Sequence, residues 1–216
     1  MNSEPNNREL PDQDSLLSAL KSNHEESFAE FFETARQRLA RIVQFRLDYR
    51  LRGRVSESDV IQETYVRAVK RLDRYINQPE VPFFVWLRSE LHQKLIEVHR
   101  MHFGAEKRDV RKEQVVRRAN TGQTSIALAA HLVGQMTSAS QLLEQAEQIE
   151  ALQVALDEMN EVDREVIALR HFEELSNVET AEILGIESSA ASKRYLRALK
   201  RLREIFENHQ KQNPFN

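Results

Sequence analysis

Glycine and proline occur in this chain almost only where helical periodicity stops, and that distribution restricts the fold more than any other feature. Five glycines and five prolines are spread over 216 residues. Gly53, Pro79, Pro82, Gly104, Gly122, Gly134 and Gly185 lie between segments of regular apolar spacing, and Pro5, Pro11 and Pro214 lie near the ends. An all-β chain needs far more turn residues. The segments between these breaks are rich in Leu, Glu, Arg, Gln and Ala, which favour helix. The expected class is all-α.

The stripes can be read directly. A short helix is expected from about Asp14 to Lys21. Phe28, Phe31, Phe32, Ala35, Leu39, Ile42 and Val43 recur at three- and four-residue steps, the mark of one apolar helix face. Gly53 can end that helix. Ser56 and Asp59 resemble a capping box for the next one, whose stripe is Ile61, Tyr65, Ala68, Leu72 and Tyr75 or Ile76. Pro79 and Pro82 then break the chain. Phe83, Trp86 and Leu87 open a third long helix that continues through Leu91, Leu95 and Val98 to about His102. A large aromatic in mid-stripe is ordinarily packed, so Trp86 is read as core.

The spacing divides the chain into a disordered tail (1–13), a helical domain (14–105), a linker (106–145) and a second helical domain (146–210). Within the linker, Ile126–Val133 is expected to form a short apolar helix, and Ser138 with Gln141 to cap a further one. The charged stretch Ala105–Val116 reads as helical or frayed.

Composition excludes several classes. The chain has no cysteine, which removes disulfides, a Cys-liganded zinc site and a thiol nucleophile. His92, His99 and His102 share one predicted helix, but no third ligand completes a metal site. There is no phosphate-cradling glycine loop and no Ser-His-Asp pattern. Neither an enzyme nor a cofactor is therefore expected. Met1–Asn7 is polar, unlike a signal peptide, and the uncharged stretch Ala119–Leu143 is too polar to span a bilayer. A cytosolic protein without membrane insertion follows.

The net charge of −3 conceals a segregation. Arg36–Arg54 holds seven arginines and one acid. Ala146–Glu187 holds twelve acids and two bases, and Ser188–Arg203 holds six bases and no acid. A pI near 6.2 speaks against nucleic-acid binding by bulk charge, but the reversal at Ser188 suggests a basic element on an acidic support.

That reversal falls inside the most informative motif. Leu175 to Ile186 contains Ser176 and Glu179, a capping box, then small Ala181, a Gly185 turn and Ile186 as a hydrophobic plug. Ser188 or Ser189 is expected to cap the following helix. There Ala191, Tyr195, Ala198, Leu199, Leu202 and Phe206 face inward, while Lys193, Arg197, Lys200 and Arg201 face outward. This is the grammar of a helix-turn-helix whose second helix enters the major groove by its N-terminal end. Ser188, Ser189, Ala190, Ser192, Lys193, Arg194 and Arg197 are placed to reach bases and phosphates.

Two separated motifs resemble the sigma-70 family of bacterial transcription initiation factors, specifically the two-domain extracytoplasmic-function (ECF) group. Asp59-Val-Ile-Gln-Glu-Thr-Tyr-Val-Arg-Ala68 with Phe83-Phe-Val-Trp-Leu87 is similar to region 2 of that family. Asp163-Arg-Glu-Val-Ile-Ala-Leu-Arg170 with the Leu175–Leu202 helix-turn-helix is similar to region 4, and Ala190–Leu202 resembles the type abundant in planctomycetes. The resemblance spans about residues 20–210, with both motifs in order. It implies that the Asp59–Arg67 helix docks on the clamp helices of RNA polymerase through Asp59, Gln62, Glu63 and Arg67. It implies that the helix from Phe83 to about Arg108, with its loop, opens and reads the −10 element. Arg88, Lys94, Arg100, Lys107 and Arg108 are the candidates for backbone contacts there, and the loop near His102–Lys107 for a flipped-base pocket. The second helix of the helix-turn-helix would read the −35 element. Where ECF factors carry Asn and, four residues on, Asp, this chain has Gln93 and Glu97. The implied partners are core RNA polymerase, promoter DNA and an anti-sigma factor or similar regulator. The main alternative is an autonomous helix-turn-helix regulator that dimerises on palindromic sites. A pure interaction protein is the third reading, against which the all-basic 188–203 helix stands.

Overall fold

The structure is a computed structural model that describes residues 10–51, 53–103, 125–133 and 142–212. Every regular element among them is helical. The chain divides into two compact units, Met1–Met101 and His102–Asn216.

In the first unit, α1 (Gln13–Ser22) starts on Asp12, whose carboxylate accepts from the Ser15 amide at 3.1 Å. α2 (His24–Arg46) buries Phe28, Phe31, Phe32, Ala35, Leu39, Ile42 and Val43, the expected stripe, and also Phe45. The expected stripe from Ile61 to Tyr75 or Ile76 is split into α3 (Glu57–Val69) and α4 (Leu72–Asn77) by a break at Lys70–Arg71. Ser56 is the N-cap of α3 but makes no side-chain cap bond, so the expected box with Asp59 is absent. Aspartate is one methylene shorter than the glutamate that completes such a box. α5 (Phe83–Phe103) follows the two prolines.

An aromatic cluster joins these helices. Trp86 is 9% exposed and stacks on Tyr75 at 4.5 Å and 17°. Phe28 lies within 6.4 Å of Phe32, Tyr65, Phe83 and Trp86. Trp86 is core, as expected. Gln13 ties three helices together: it donates to the Tyr75 hydroxyl at 2.7 Å and accepts from the Phe83 amide at 3.1 Å. Two arginines of the basic stretch are structural. The Arg38 guanidinium lies 3.5 Å from the Phe84 ring centroid. Arg50 donates from its side chain and backbone to buried Asp48. Burial pushes the Asp48 carboxyl up, but the hydrogen bonds and charge of Arg50 outweigh it and hold the group below the usual range.

In the second unit, a helix α6 covers residues 125–133, with Leu128, Ala129 and Val133 buried. α7 (Leu142–Glu158) and α8 (Glu161–Ile167) follow, and Asn160 caps α8 by accepting from the Asp163 amide at 2.8 Å. α8 widens into a π turn, Ala168–Phe172. α9 (Asn177–Leu184) and α10 (Ser188–Gln212) complete the unit. α10 packs on α7, α8 and α9. Its inward row is Ala191, Ala198 and Leu202, fully buried, with Tyr195, Leu199 and Phe206 half-buried. The expected box at Ser138 and Gln141 and the stretch Ala105–Val116 lie outside the described residues.

Candidate nucleic-acid interface

The geometry of the second unit begins with local capping. Ser176 Oγ accepts from the Glu179 amide at 3.1 Å, and the Glu179 carboxylate accepts from the Ser176 amide at 2.7 Å. Both halves of the expected capping box are therefore made. Gly185 closes α9 at φ +61°, a left-handed conformation that favours glycine. The Ile186 amide donates back to the Ala181 carbonyl at 3.0 Å, which turns the chain tightly into α10.

α10 then presents Ser188, Ser189, Ser192, Lys193 and Arg197 exposed, with Ala190 and Arg194 half-buried. The sequence placed all seven on the DNA-reading face. Ser188 does not cap α10 as expected: the helix starts with it, one residue beyond Glu187, whose carbonyl accepts from the Ala190 and Ala191 amides. Leu196 is 64% exposed in the same outward region, which the basic pattern had concealed. Beside this row, Arg194, Arg197, Lys200 and Arg201 line a cleft of about 440 Å³ with Asn160, Asp163 and Glu204. The acids there hold the cations only loosely, Arg201 at 3.6 Å from Asp163 and Lys200 at 3.7 Å from Glu204. Such solvated pairs contribute little and leave the cations able to turn to phosphate.

The π turn supports α10 from behind. Its extra residue makes the Glu173 amide donate to the Ala168 carbonyl at 3.0 Å. His171 Nε2 and the Tyr195 hydroxyl of α10 are hydrogen-bonded at 2.6 Å, and the Arg170 guanidinium lies 5.5 Å from the Tyr195 ring centroid. From α6, His131 Nε2 donates to the His171 carbonyl at 2.8 Å, and its ring meets Phe172. Burial, then the nearby His131 and Arg170, holds His171 below its ordinary value. Sequence reasoning missed this chain of contacts, because a π turn leaves no periodic signal.

In the first unit, α3 exposes Asp59, Gln62 and Glu63, and beside them Val66 and Val69 at 47% and 43%. Arg67 is half-buried. Four ionic contacts run from α3 and its C-terminal end to α5. Glu63 pairs with Lys94, and Arg67 with Glu97. Arg67 also donates to Glu90 at 2.7 Å, a carboxylate it shares with Arg71 at 3.0 Å. Burial opposes the charge on Arg67, but Glu97 and Glu90 more than compensate and keep it firmly ionised. Two residues assigned to polymerase, Glu63 and Arg67, thus pair with three positions of the expected −10 helix, Glu90, Lys94 and Glu97. Among the expected −10 contacts, Arg100 is exposed and Lys94 is half-buried in its ion pair. Arg88 is only 6% exposed, so its side chain is not presented outward as a backbone contact requires. It follows Trp86 and Leu87 into the buried first turns of α5. Lys107 and Arg108 lie outside the described residues, as does most of the expected base pocket.

Among the described residues no group of His, Cys, Asp or Glu is arranged to hold a metal, and no helix is long and apolar enough to cross a membrane.

Comparison with known proteins converges on the same region. Residues 149–202 match the family described as Sigma-70, region 4. That segment runs from α7 through the π turn and the capped α9 to Leu202 of α10. Among solved structures, the chain is similar to CnrH in its complex with the cytosolic domain of CnrY, at 21% identity and a TM-score of 0.50, over 91% of this chain and 97% of that one. At that identity the likeness is one of fold. A search of curated proteins finds no match.

Proposed function

We propose that this chain, whose residues 149–202 match sigma-70 region 4, is a transcription initiation factor of the ECF group that brings core RNA polymerase to particular promoters. The observation that carries the proposal is the α9–α10 pair: the capped α9, the Gly185 turn and the outward row of Ser189, Ser192, Lys193 and Arg197 on α10, inside the segment that matches region 4.

In this reading the α3 face of Asp59, Gln62 and Glu63, bordered by Val66 and Val69, docks on the polymerase clamp helices. Half-buried Arg67 supports it from within the network to α5. Along α5, exposed Arg100, Lys94 once released from Glu63, and Lys107 and Arg108 beyond it hold the −10 strand. Arg88 is assigned a packing role instead of a DNA contact. Gln93 and Glu97 stand at the positions where ECF factors carry Asn and Asp, so the −10 preference differs from theirs. α10 reads the −35 element in the major groove. Its type is closest to that of planctomycetes.

The electrostatics fit a factor that depends on polymerase. An acidic chain with two modest basic surfaces binds DNA weakly alone. Docking on polymerase presents both surfaces at fixed spacing, and the effective concentration gained makes a specific reader of two weak sites. The contribution is recognition and strand opening in the cytoplasm, without covalent chemistry. CnrH forms a complex with the cytosolic domain of CnrY, and we propose that this chain also has a protein partner, one that sequesters it.

The test is co-migration of the purified chain with core RNA polymerase on size exclusion, with and without Asp59→Ala/Gln62→Ala/Glu63→Ala. Stoichiometric binding that the triple variant loses supports the reading. A dimer that binds palindromic duplex and ignores polymerase overturns it in favour of an autonomous regulator.

A further inference from the structure

We propose that Asn177 is a positioning residue for promoter reading: its side-chain amide clasps the first residue of α10 and sets where that helix meets the −35 element. The proposal rests on reading α10 as the promoter-reading helix. Asn177 is the first residue of α9, and Ser188 is the first residue of α10. Across the turn, Asn177 Nδ2 donates to the Ser188 carbonyl at 2.8 Å and to Ser188 Oγ at 2.6 Å.

An amide nitrogen has two hydrogens, and here one goes to each oxygen. The chemistry is specific to a carboxamide. Aspartate at this position has no hydrogen to offer, and alanine has no polar atom.

The clasp completes what the turn begins. Gly185 and the bond from the Ile186 amide to Ala181 fix the C-terminal end of α9. The N-cap residue of α10 is Glu187, so the short polar cap usual at a helix start is absent there. Asn177 instead holds that end from the opposite helix. Ser189, Ser192 and Lys193 lie within the next turn and a half, and base contacts tolerate little displacement. The clasp also changes the role of Ser188. With Oγ accepting from Asn177, the hydroxyl faces DNA as a hydrogen donor, suited to a phosphate or a base acceptor.

The test uses holoenzyme reconstituted from core RNA polymerase and the full chain. A −35 sequence is first selected from randomised duplex with the wild-type chain. Asn177→Ala, Asn177→Asp, Ser188→Ala and the Asn177→Ala/Ser188→Ala double variant are then compared on the selected and on scrambled duplex, over a salt series. Asn177→Ala is expected to lose about tenfold on the selected site, the size of one base contact, with scrambled-site affinity and salt slope unchanged. Asn177→Asp is expected not to restore binding. Ser188→Ala, which keeps its carbonyl, is expected to lose less, and the double variant no more than Asn177→Ala. Wild-type selectivity in Asn177→Ala overturns the proposal. So does an equal loss on both duplexes with a shallower salt slope, which marks a phosphate contact, or a loss that simply follows a lowered Tm. If the wild-type chain selects no −35 sequence at all, promoter reading by α10 fails first.

Discussion

Glu63 on α3 and Lys94 on α5 form an ion pair between two helices that the sequence assigns to different partners, RNA polymerase and the −10 strand. Glu63 keeps 56% of its side chain in solvent, while Lys94 keeps 12%. The acid is accessible to a docking partner, and the base is covered by its neighbours. Removing the charge of the acid therefore leaves Lys94 without this counter-ion. Glu63→Gln is expected to raise the affinity of the free chain for single-stranded −10 DNA by a few-fold, since a screened pair is worth about 1 kcal/mol or less. Fluorescence anisotropy at low salt measures this, and an unchanged affinity would show that Lys94 does not face the strand.

Glu90 makes a different prediction. Its side chain is 7% exposed and bridges Arg67 and Arg71. Glu90→Ala leaves both guanidinium groups without their shared carboxylate, at a cost of about 1–3 kcal/mol. Urea unfolding followed by circular dichroism should show the loss, with Glu90→Gln intermediate.

Gly185 can be tested without steric ambiguity. A Cβ added there meets nothing within 4 Å, so the cost of Gly185→Ala is the backbone at φ +61° alone. That is about 1–2 kcal/mol. Gly185→Asn, which tolerates this conformation, should recover part of the loss in Tm.

The contact of His171 with Tyr195 predicts a pH dependence. The folded chain holds His171 below its ordinary 6.5 through burial, His131 and Arg170, so the unfolded chain takes up the proton first. The stability contributed by neutral His171 is present above that value and is lost as pH falls through the folded pKa. Unfolding free energies compared between about pH 7.5 and 5.5 should fall in the wild type, and less steeply in His171→Gln, which keeps a neutral hydrogen-bonding group.

Lys193 and Arg197 are exposed and one turn apart on α10. Lys193→Ala/Arg197→Ala is expected to weaken −35 binding and to reduce the salt slope by about one for each phosphate contact removed. Normal promoter activity from the double variant at moderate salt would remove α10 from the interface.

The helical class, the stripes of α2 and α10, the packed Trp86 and the capping box at Ser176 were legible in the sequence, because each depends on residues three or four apart. The helix-turn-helix was legible for the same reason: small residue, glycine and plug lie within one short segment. The match of residues 149–202 to sigma-70 region 4 bears out the family resemblance where those local signals were densest. Tertiary structure decided what depends on distant neighbours. The break at Lys70–Arg71 interrupts a stripe that looked continuous. Arg88 is buried although its charge suggested a surface role. The pairs of Glu63 with Lys94 and Arg67 with Glu97 join positions about 30 residues apart. Asn177 finds Ser188 only because Gly185 turns the chain back. Local periodicity determines which face of a helix is apolar, but which charged groups meet across two helices depends on how those faces pack, and packing is set by the whole unit.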